Sequence, residues 1–545
     1  MFSIGKFSIW FYPFLIIVIS FLYLFPITHS GLYVSHDGIP QIARAAASIK
    51  AMTDGQFPPR WAKNLNYGYG TPGLIFFYSL NGYAVGFLYL LGINLQDSFK
   101  LLMAASFVLA PLFFYLWTSQ IFEKKIAFLS SVFYGLAPYS FLDAFVRGQL
   151  AESLAFVFVP LVFYSIEKNS KKISAYNILI GGISYALLIL SHNILSFVFS
   201  FIILGYIIIK SKADKKLLIG NLIILFMGLI VTAYFWIPAL TEAKYINSKL
   251  FVEGFYKNNF LNFSKIIYSS WGFGSNINWP GGLSAQIGPL HFFFSFACLF
   301  LLFKKKIKDR SYIGYWLFVL IIMIFMSIDL SEFLWKKFHI LQQFQFPWRF
   351  SAFSSFVTPI LVGYFFSFKK NSFIFFISLF ILLFSSLSMA KVAGYQNRPD
   401  EYYFNYPGTA AYHNESTTIW VAGDAYEYPK NPIEVVSGRG KIYNLTRKTN
   451  QHSFKLDAET NLTILDNTVY FPGWRVKIDK ENAPIEFQDI NHRGLITFNV
   501  PMGVHFIDVE FGESRVGLIA DIISLTGIGF FILIFVLRRK LSLLI

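Results

Sequence analysis

Residues 8–28 read SIWFYPFLIIVISFLYLFPIT and continue into HSGLYVSHDGIPQ at 29–41. The first block is an apolar run of the length a helix needs to cross a hydrocarbon core of about 30 Å, roughly 20 residues at 1.5 Å each. It is too long for a removable signal peptide and no small-residue cleavage site follows it, so it reads as an anchor. Similar runs lie near 99–119, 126–142, 150–167, 174–191, 194–210, 217–239, 289–303, 312–330, 347–367, 372–390 and 516–537. The expected fold class is therefore mainly α, a polytopic membrane protein with about 12 transmembrane helices.

Composition agrees. Of 545 residues, 55% are hydrophobic and 14% charged, against roughly 25% charged in soluble domains. The chain has 65 Phe, 31 Tyr and 11 Trp, so many bulky rings must be buried or set against lipid. The net charge of +16 does not point to nucleic acid, because the basic residues sit in short runs between apolar segments instead of on one face. Threaded from a cytoplasmic N-terminus, the runs Lys124/Lys125, Lys168/Lys171/Lys172, Lys210 to Lys216, Lys304 to Arg310, Lys369/Lys370 and Arg538 to Lys540 all fall inside. That pattern holds only if the apolar stretch Gly73 to Ile93 is interfacial or re-entrant and not a span. Both termini are then cytoplasmic. The single cysteine, Cys298, excludes disulfides and cysteine-based metal sites.

Three expected domains follow: a transmembrane domain at 1–390 with large outer segments at 29–98 and 240–288, an extracytoplasmic β-rich domain at 391–515, and a final helix with a basic tail at 516–545. The β assignment rests on alternation in 454–458, 468–479 and 495–511, with turns at Pro472-Gly473, Asp479 to Asn482 and Pro501 to Gly503. It reads as a sandwich or jelly roll.

Ionisable groups collect at the outer ends of the spans. Asp37 follows the first span directly, ahead of a helix with Ile42, Ala46 and Ile49 on one face and Gln41, Arg44 and Ser48 on the other. Such a helix suits the membrane surface, where Asp37 would meet a lipid head group or simply cap the helix. The second outer loop carries Asp143, Arg147 and Glu152, which serve a site or form a salt bridge. His192, in the turn Ser191-His192-Asn193, reads as a solvated turn residue or a site member. Arg349, within Phe346-Pro347-Trp348-Arg349-Phe350, stands on the outer side against the charge bias. Its fork suits a phosphate, or it snorkels beside Trp348. Tyr245, Tyr256, Trp271 and Trp279 stack on sugars or belong to an interfacial belt. No P-loop, GxGxxG, HExxH or GxSxG motif is present, which argues against ATP-driven pumping. The Asn-x-Ser/Thr tripeptides at Asn262, Asn414, Asn444 and Asn461 carry little weight.

The order of one span, an Asp-bearing outer loop, a surface helix, more spans and an outer β-domain resembles the GT-C glycosyltransferases. More narrowly, His36-Asp37-Gly38, Pro59-Arg60-Trp61, Gly68-Tyr69-Gly70-Thr71-Pro72, Arg147 with Glu152, Phe346 to Phe350, Tyr470 to Trp474 and Val500 to His505 resemble two groups of prokaryotic membrane proteins. These are the group labelled 6-pyruvoyl-tetrahydropterin synthase-related and the YfhO-like proteins. The pterin label does not transfer, since that chemistry needs a three-histidine zinc site. The resemblance implies a plasma-membrane enzyme of the cell envelope that moves a sugar from a polyprenyl-phosphate donor to a glycan, lipid or protein acceptor on the outer face. It implies Asp37 as general base. Arg349, Arg147 and Arg60 are then the expected phosphate ligands, with His36, Asp143, Glu152 and His192 holding the acceptor or supporting the site. A divalent metal, Mg or Mn, on Asp37, Asp143 and Glu152 is left open. The rival reading is a non-catalytic protein of the same scaffold, acting in transport or assembly of lipid-linked polysaccharide.

Overall fold

In the computed structural model residues 4–212, 214–247, 254–303, 309–411, 415–421, 423 and 425–541 are described, the side chains of 4–9, 535 and 537–541 excepted. The expected basic run Lys304 to Lys308, the side chains of Arg538 to Lys540 and the Asn414 tripeptide lie outside the described residues.

Every one of the apolar segments forms helix. Among the described residues six helices, against the expected twelve or so, are long and apolar enough to cross a membrane: Leu95–Thr118, Leu150–Lys171, Asn193–Ser211, Arg310–Ser327, Pro347–Phe368 and Arg515–Ile534. Two bent pairs raise the number to at most eight. The remaining segments are the shorter apolar helices Trp10–Leu22, Ala175–Ser191, Pro289–Leu302 and Ser372–Leu387. Outward faces carry large apolar side chains at helical spacing, such as Phe373, Phe376, Phe380 and Phe384. Faces of that kind belong against lipid, and the fold is that of a multi-pass membrane protein.

Each bend has a local cause. Lys124–Gly135 and Pro138–Arg147 meet at 43°: Pro138 has no N–H to continue the ladder. Lys215–Val231 and Ala233–Thr241 meet at 67°, where the Thr232 hydroxyl donates back to the Gly228 carbonyl at 2.7 Å. The stretch Gly73 to Ile93 forms a short turn of helix, Gly73–Phe76, then Leu80–Leu90. Eleven residues reach only about half of the hydrocarbon thickness.

The aromatic surplus fills the centre of the helical part. The buried Trp117 ring stacks on Phe163 at 4.6 Å and on Phe356 at 5.5 Å, with Trp316 edge-on at 5.9 Å. Stacked and edge-on rings add to plain area burial.

A short pair, β1 (Leu32–Tyr33) with β2 (Tyr395–Gln396), ties the first outer loop to the entry of the β-rich region. That region contains β3 (Ile433–Ser437), β4 (Gly440–Arg447), β5 (Gln451–Ala458), β6 (Leu462–Val469), β7 (Trp474–Ile478), β8 (Glu481–Ala483), β9 (Leu495–Val500) and β10 (Gly503–Phe511). They form two antiparallel sheets, β4-β5-β10-β7-β8 and β3-β6-β9. Phe454, Leu456 and Ile507 of one sheet share a core with Ile464, Phe498 and Val500 of the other, which makes a sandwich. Asp479 and Lys480, at φ 51° and 74°, form the tight turn between β7 and β8.

The first outer loop is part of that sandwich's packing. Trp61 is fully buried, 5.3 Å from both Trp474 and Phe511. Gly70, at φ 82°, lies flat on the indole, where a Cβ would stand 2.7 Å from Nε1. The Val469 N–H donates to the Tyr69 carbonyl at 2.9 Å. Trp61 and the Gly68 to Pro72 string thus form a joint between the helices and the sandwich.

Candidate functional site

The outer end of the bent helix is where the site begins. Leu142–Arg147 is wound as a π-helix, a form that often marks functional sites. It stops at Gly148, φ 65°. A Cβ at Gly148 would lie 2.4 Å from the Ser35 hydroxyl and 3.2 Å from the Gly38 nitrogen. Only glycine lets the two chains approach this closely. The His36 N–H donates to the Val146 carbonyl at 3.0 Å, and the Asp37 N–H to that of Arg147 at 2.7 Å.

Asp37 occupies the cap position of helix Gly38–Thr53, yet its side chain makes no capping hydrogen bond. Its Oδ2 instead accepts from Gln149 Nε2 at 2.9 Å. Behind this contact stands a relay of amides. Asn81 donates to Gln41 Oε1 at 2.7 Å, and Gln41 donates to Gln149 Oε1 at 2.6 Å. The carboxylate is thus half-buried, oriented, and aimed away from the backbone it was expected to cap. His36 Nε2 lies 2.7 Å from the Phe273 carbonyl and holds the second outer segment against this turn.

The polar face of helix Gly38–Thr53 does not look into water. Gln41 and Ser48 are buried, because helix Leu80–Leu90 crosses over them. Gly82 and Gly86, one turn apart, permit the crossing: a Cβ at Gly82 would stand 2.6 Å from the Ser48 hydroxyl.

Asp143, Arg147 and Glu152 form a closed ion cluster. Arg147 contacts Asp143 Oδ1 at 2.7 Å and both Glu152 oxygens at 2.8 Å. Tyr139 donates to Glu152 Oε2 at 2.9 Å. All three charged residues are buried, and Trp348 covers the guanidinium at 5.0 Å. His192 is buried as well, so it is not a solvated turn residue. Its Nδ1 accepts from the Leu195 N–H at 3.3 Å, which directs Nε2 toward Glu152 Oε1 at 3.6 Å. Asp143 and Glu152 embrace a guanidinium and form no oxygen cage for Mg or Mn. Among the described residues no three His, Cys, Asp or Glu side chains converge as metal ligands.

Arg60 is held elsewhere. Its Nε contacts Glu513 at 2.7 Å, one terminal nitrogen Asp521 at 2.9 Å, and the other the Tyr234 carbonyl at 2.9 Å. It fastens the first outer loop to the last helix, with its charge paired to two carboxylates and three of its five N–H donors taken by protein groups.

Arg349 differs. It donates to the Phe344 carbonyl at 3.0 Å and to Gln345 Oε1 at 3.2 Å, and rests over Phe346. Its Nε is buried without a partner, and no carboxylate pairs with it among the described residues. Tyr78 is stacked on His192 at 4.9 Å, with the Arg44 guanidinium 5.7 Å from its ring. Burial raises the phenol's pKa; Arg44 lowers it, Asp37 and Glu152 raise it, and Arg349 lowers it. Charges from three separate parts of the chain, residues 37–44, Glu152 and Arg349, thus bear on this phenol. Sequence reasoning singled out Asp37, Glu152 and Arg349. It missed Tyr78 and Gln149, and it gave Arg44 and Gln41 no role beyond helix amphipathicity, since neutral amides and tyrosines carry no signal in so aromatic a chain.

No protein-family model matches the sequence. Over 245 residues it is 23% identical to an uncharacterized protein of Lactococcus lactis subsp. cremoris (strain MG1363), an alignment covering 42% of this chain and 39% of that one. Among solved structures it is similar to the arabinofuranosyltransferase AftD from Mycobacteria, with a TM-score of 0.47 and 11% identity over 70% of this chain and 26% of that chain. It is also similar to an oligosaccharyltransferase of Archaeoglobus fulgidus, with a TM-score of 0.47 and 15% identity over 78% and 62% of the two chains. This chain therefore spans less than two-thirds of each of these proteins.

Proposed function

We propose that this protein is a membrane glycosyltransferase that moves a sugar from a polyprenyl-phosphate donor to an acceptor hydroxyl at the outer face of the plasma membrane. The reading is carried by the Asp37 carboxylate, which makes no capping bond and is oriented by Gln149, and it is supported by Arg349, whose Nε is buried without a partner and which forms no ion pair among the described residues. The sequence resemblance to GT-C enzymes adds the reaction class.

In the proposed step Asp37 takes the proton of the acceptor hydroxyl while that oxygen attacks the anomeric carbon. The bond from that carbon to the phosphate oxygen breaks, and the polyprenyl phosphate leaves with the electron pair. General-base catalysis of this kind is worth roughly 10²–10⁴ in rate. Arg349 stabilises the charge that grows on the leaving phosphate, a contribution that is often the largest. Gln149 fixes the carboxylate, so less reorganisation is required at the moment of reaction. The cluster of Asp143, Arg147 and Glu152 forms a rigid wall behind the site, and Arg60 clasps the loop to the last helix.

Asp37→Asn keeps the shape and the Gln149 contact but removes the base. In membranes supplied with lipid-linked donor, transfer is expected to fall by about 10²–10⁴ at normal protein level. Undiminished transfer, or an unchanged surface glycan in cells, would instead support a transport or assembly role.

A further inference from the structure

Helix Gly38–Thr53 and the segment Leu74 to Gly82 form a small, partly open cavity beside Tyr78, lined by Gln41, Arg44, Ser48, Phe77, Tyr78 and Asn81, among others. Two of these groups lack partners. The Arg44 guanidinium lies 4.4 Å over the Phe77 ring and 5.7 Å from that of Tyr78. It makes no hydrogen bond and no ion pair among the described residues. Asn81 is buried, its amide nitrogen donates to Gln41, and its Oδ1 has no donor. A buried acceptor without a donor is costly unless something bound supplies one.

We infer that this cavity is a binding site for a phosphorylated, hydroxyl-bearing ligand: Arg44 grips the phosphoryl group and Asn81 Oδ1 accepts from a hydroxyl. Bookkeeping over the arginines of the outer face supports the choice. Arg60 and Arg147 each pair with two carboxylates, whereas Arg44 and Arg349 form no ion pair among the described residues. The planar fork of Arg44, stacked on an aromatic ring, leaves its edge free for phosphate oxygens. The relay from Asn81 through Gln41 and Gln149 then connects the occupied cavity to the Asp37 carboxylate. The inference rests on the proposed reading of Asp37, since the ligand it names is that reaction's donor.

The test is binding to the full-length protein in lipid nanodiscs, with farnesyl monophosphate, farnesol and inorganic phosphate as probes. Farnesyl monophosphate is expected to bind at least about tenfold more tightly than farnesol, as a charge-assisted contact requires. Arg44→Gln is expected to abolish that preference and Arg44→Lys to retain part of it. Lys50→Gln, on the exposed side of the same helix, controls for general surface charge. Inorganic phosphate competing as strongly as the lipid phosphate would assign the site to a soluble anion and overturn the donor assignment. Equal loss in Lys50→Gln, or undiminished preference in a folded Arg44→Gln, would overturn the site itself. Asp37→Asn separates the two readings: it should bind farnesyl monophosphate normally while losing transfer. If it keeps transfer, the catalytic reading fails whatever Arg44 does.

Discussion

Arg44, Arg60, Arg147 and Arg349 carry the same formal charge and have different fates. Arg147 sits among Asp143, Glu152 and the Tyr139 hydroxyl, so its charge is spent inside the protein. Removing one member of such a buried cluster leaves the others uncompensated, at a cost of about 3–5 kcal/mol. Arg147→Gln is therefore expected to lower the thermal midpoint in detergent sharply. Adding Glu152→Gln should recover part of the loss, a coupling that a double-mutant cycle measures. A neutral combination of the two would show that they do not interact. Arg349, which forms no ion pair among the described residues, behaves oppositely: Arg349→Gln should leave the midpoint nearly unchanged and reduce transfer.

At the level of elements, the close passage of Gly148 against Ser35 and Gly38 sets the position of Asp37. An alanine at Gly148 meets two obstacles, a left-handed backbone and an Oγ 2.4 Å from its Cβ. Gly92 offers an internal comparison, since it has a similar φ of 91° but nothing within 4 Å of a Cβ. Gly92→Ala is expected to cost about 1 kcal/mol from backbone strain alone. Gly148→Ala should cost more and also depress transfer, because the turn carrying His36 and Asp37 must move. Equal effects of the two substitutions on midpoint and activity would remove Gly148 from its positioning role. The π-helical winding before Gly148 has no composition signature, and the Gly-x-x-x-Gly spacing of Gly82 and Gly86 marks a close crossing without naming its partner helix. Both depend on which helix lies opposite.

For the molecule as a whole, the sandwich and the helical part share the Trp61 joint, and the sandwich holds a buried charge network of its own. His452 is fully buried, 2.6 Å from Asp466, with Arg447 at its other nitrogen. Burial holds the His452 pKa below its usual 6.5, although Asp466 pulls it upward. Asp466 is held below 3.8 by His452 and Arg447, in spite of burial. In both cases the unfolded chain binds a proton before the folded one does, so stability falls as pH falls. The loss should begin as pH drops below about 6.5 through His452 and deepen below 3.8 through Asp466. Hydrogen exchange of β5 and β6 against pH measures it, and His452→Gln should remove the upper part of the response. Trp61→Ala should loosen the sandwich from the helices at about 3–5 kcal/mol, visible as faster exchange in β7 and β10.

What the sequence determined by itself was one-dimensional: apolar runs of membrane length, alternation in the β-rich region, and an aspartate left at the mouth of the first span. Those follow from local side-chain chemistry and period, which no distant contact alters. The tertiary structure decided which charges remain free. Arg60 meets acids more than four hundred residues away, and Arg44 forms no ion pair among the described residues. Whether an ion is neutralised depends on what folds against it, and in a chain with so few charges each pairing changes the chemistry available at the site.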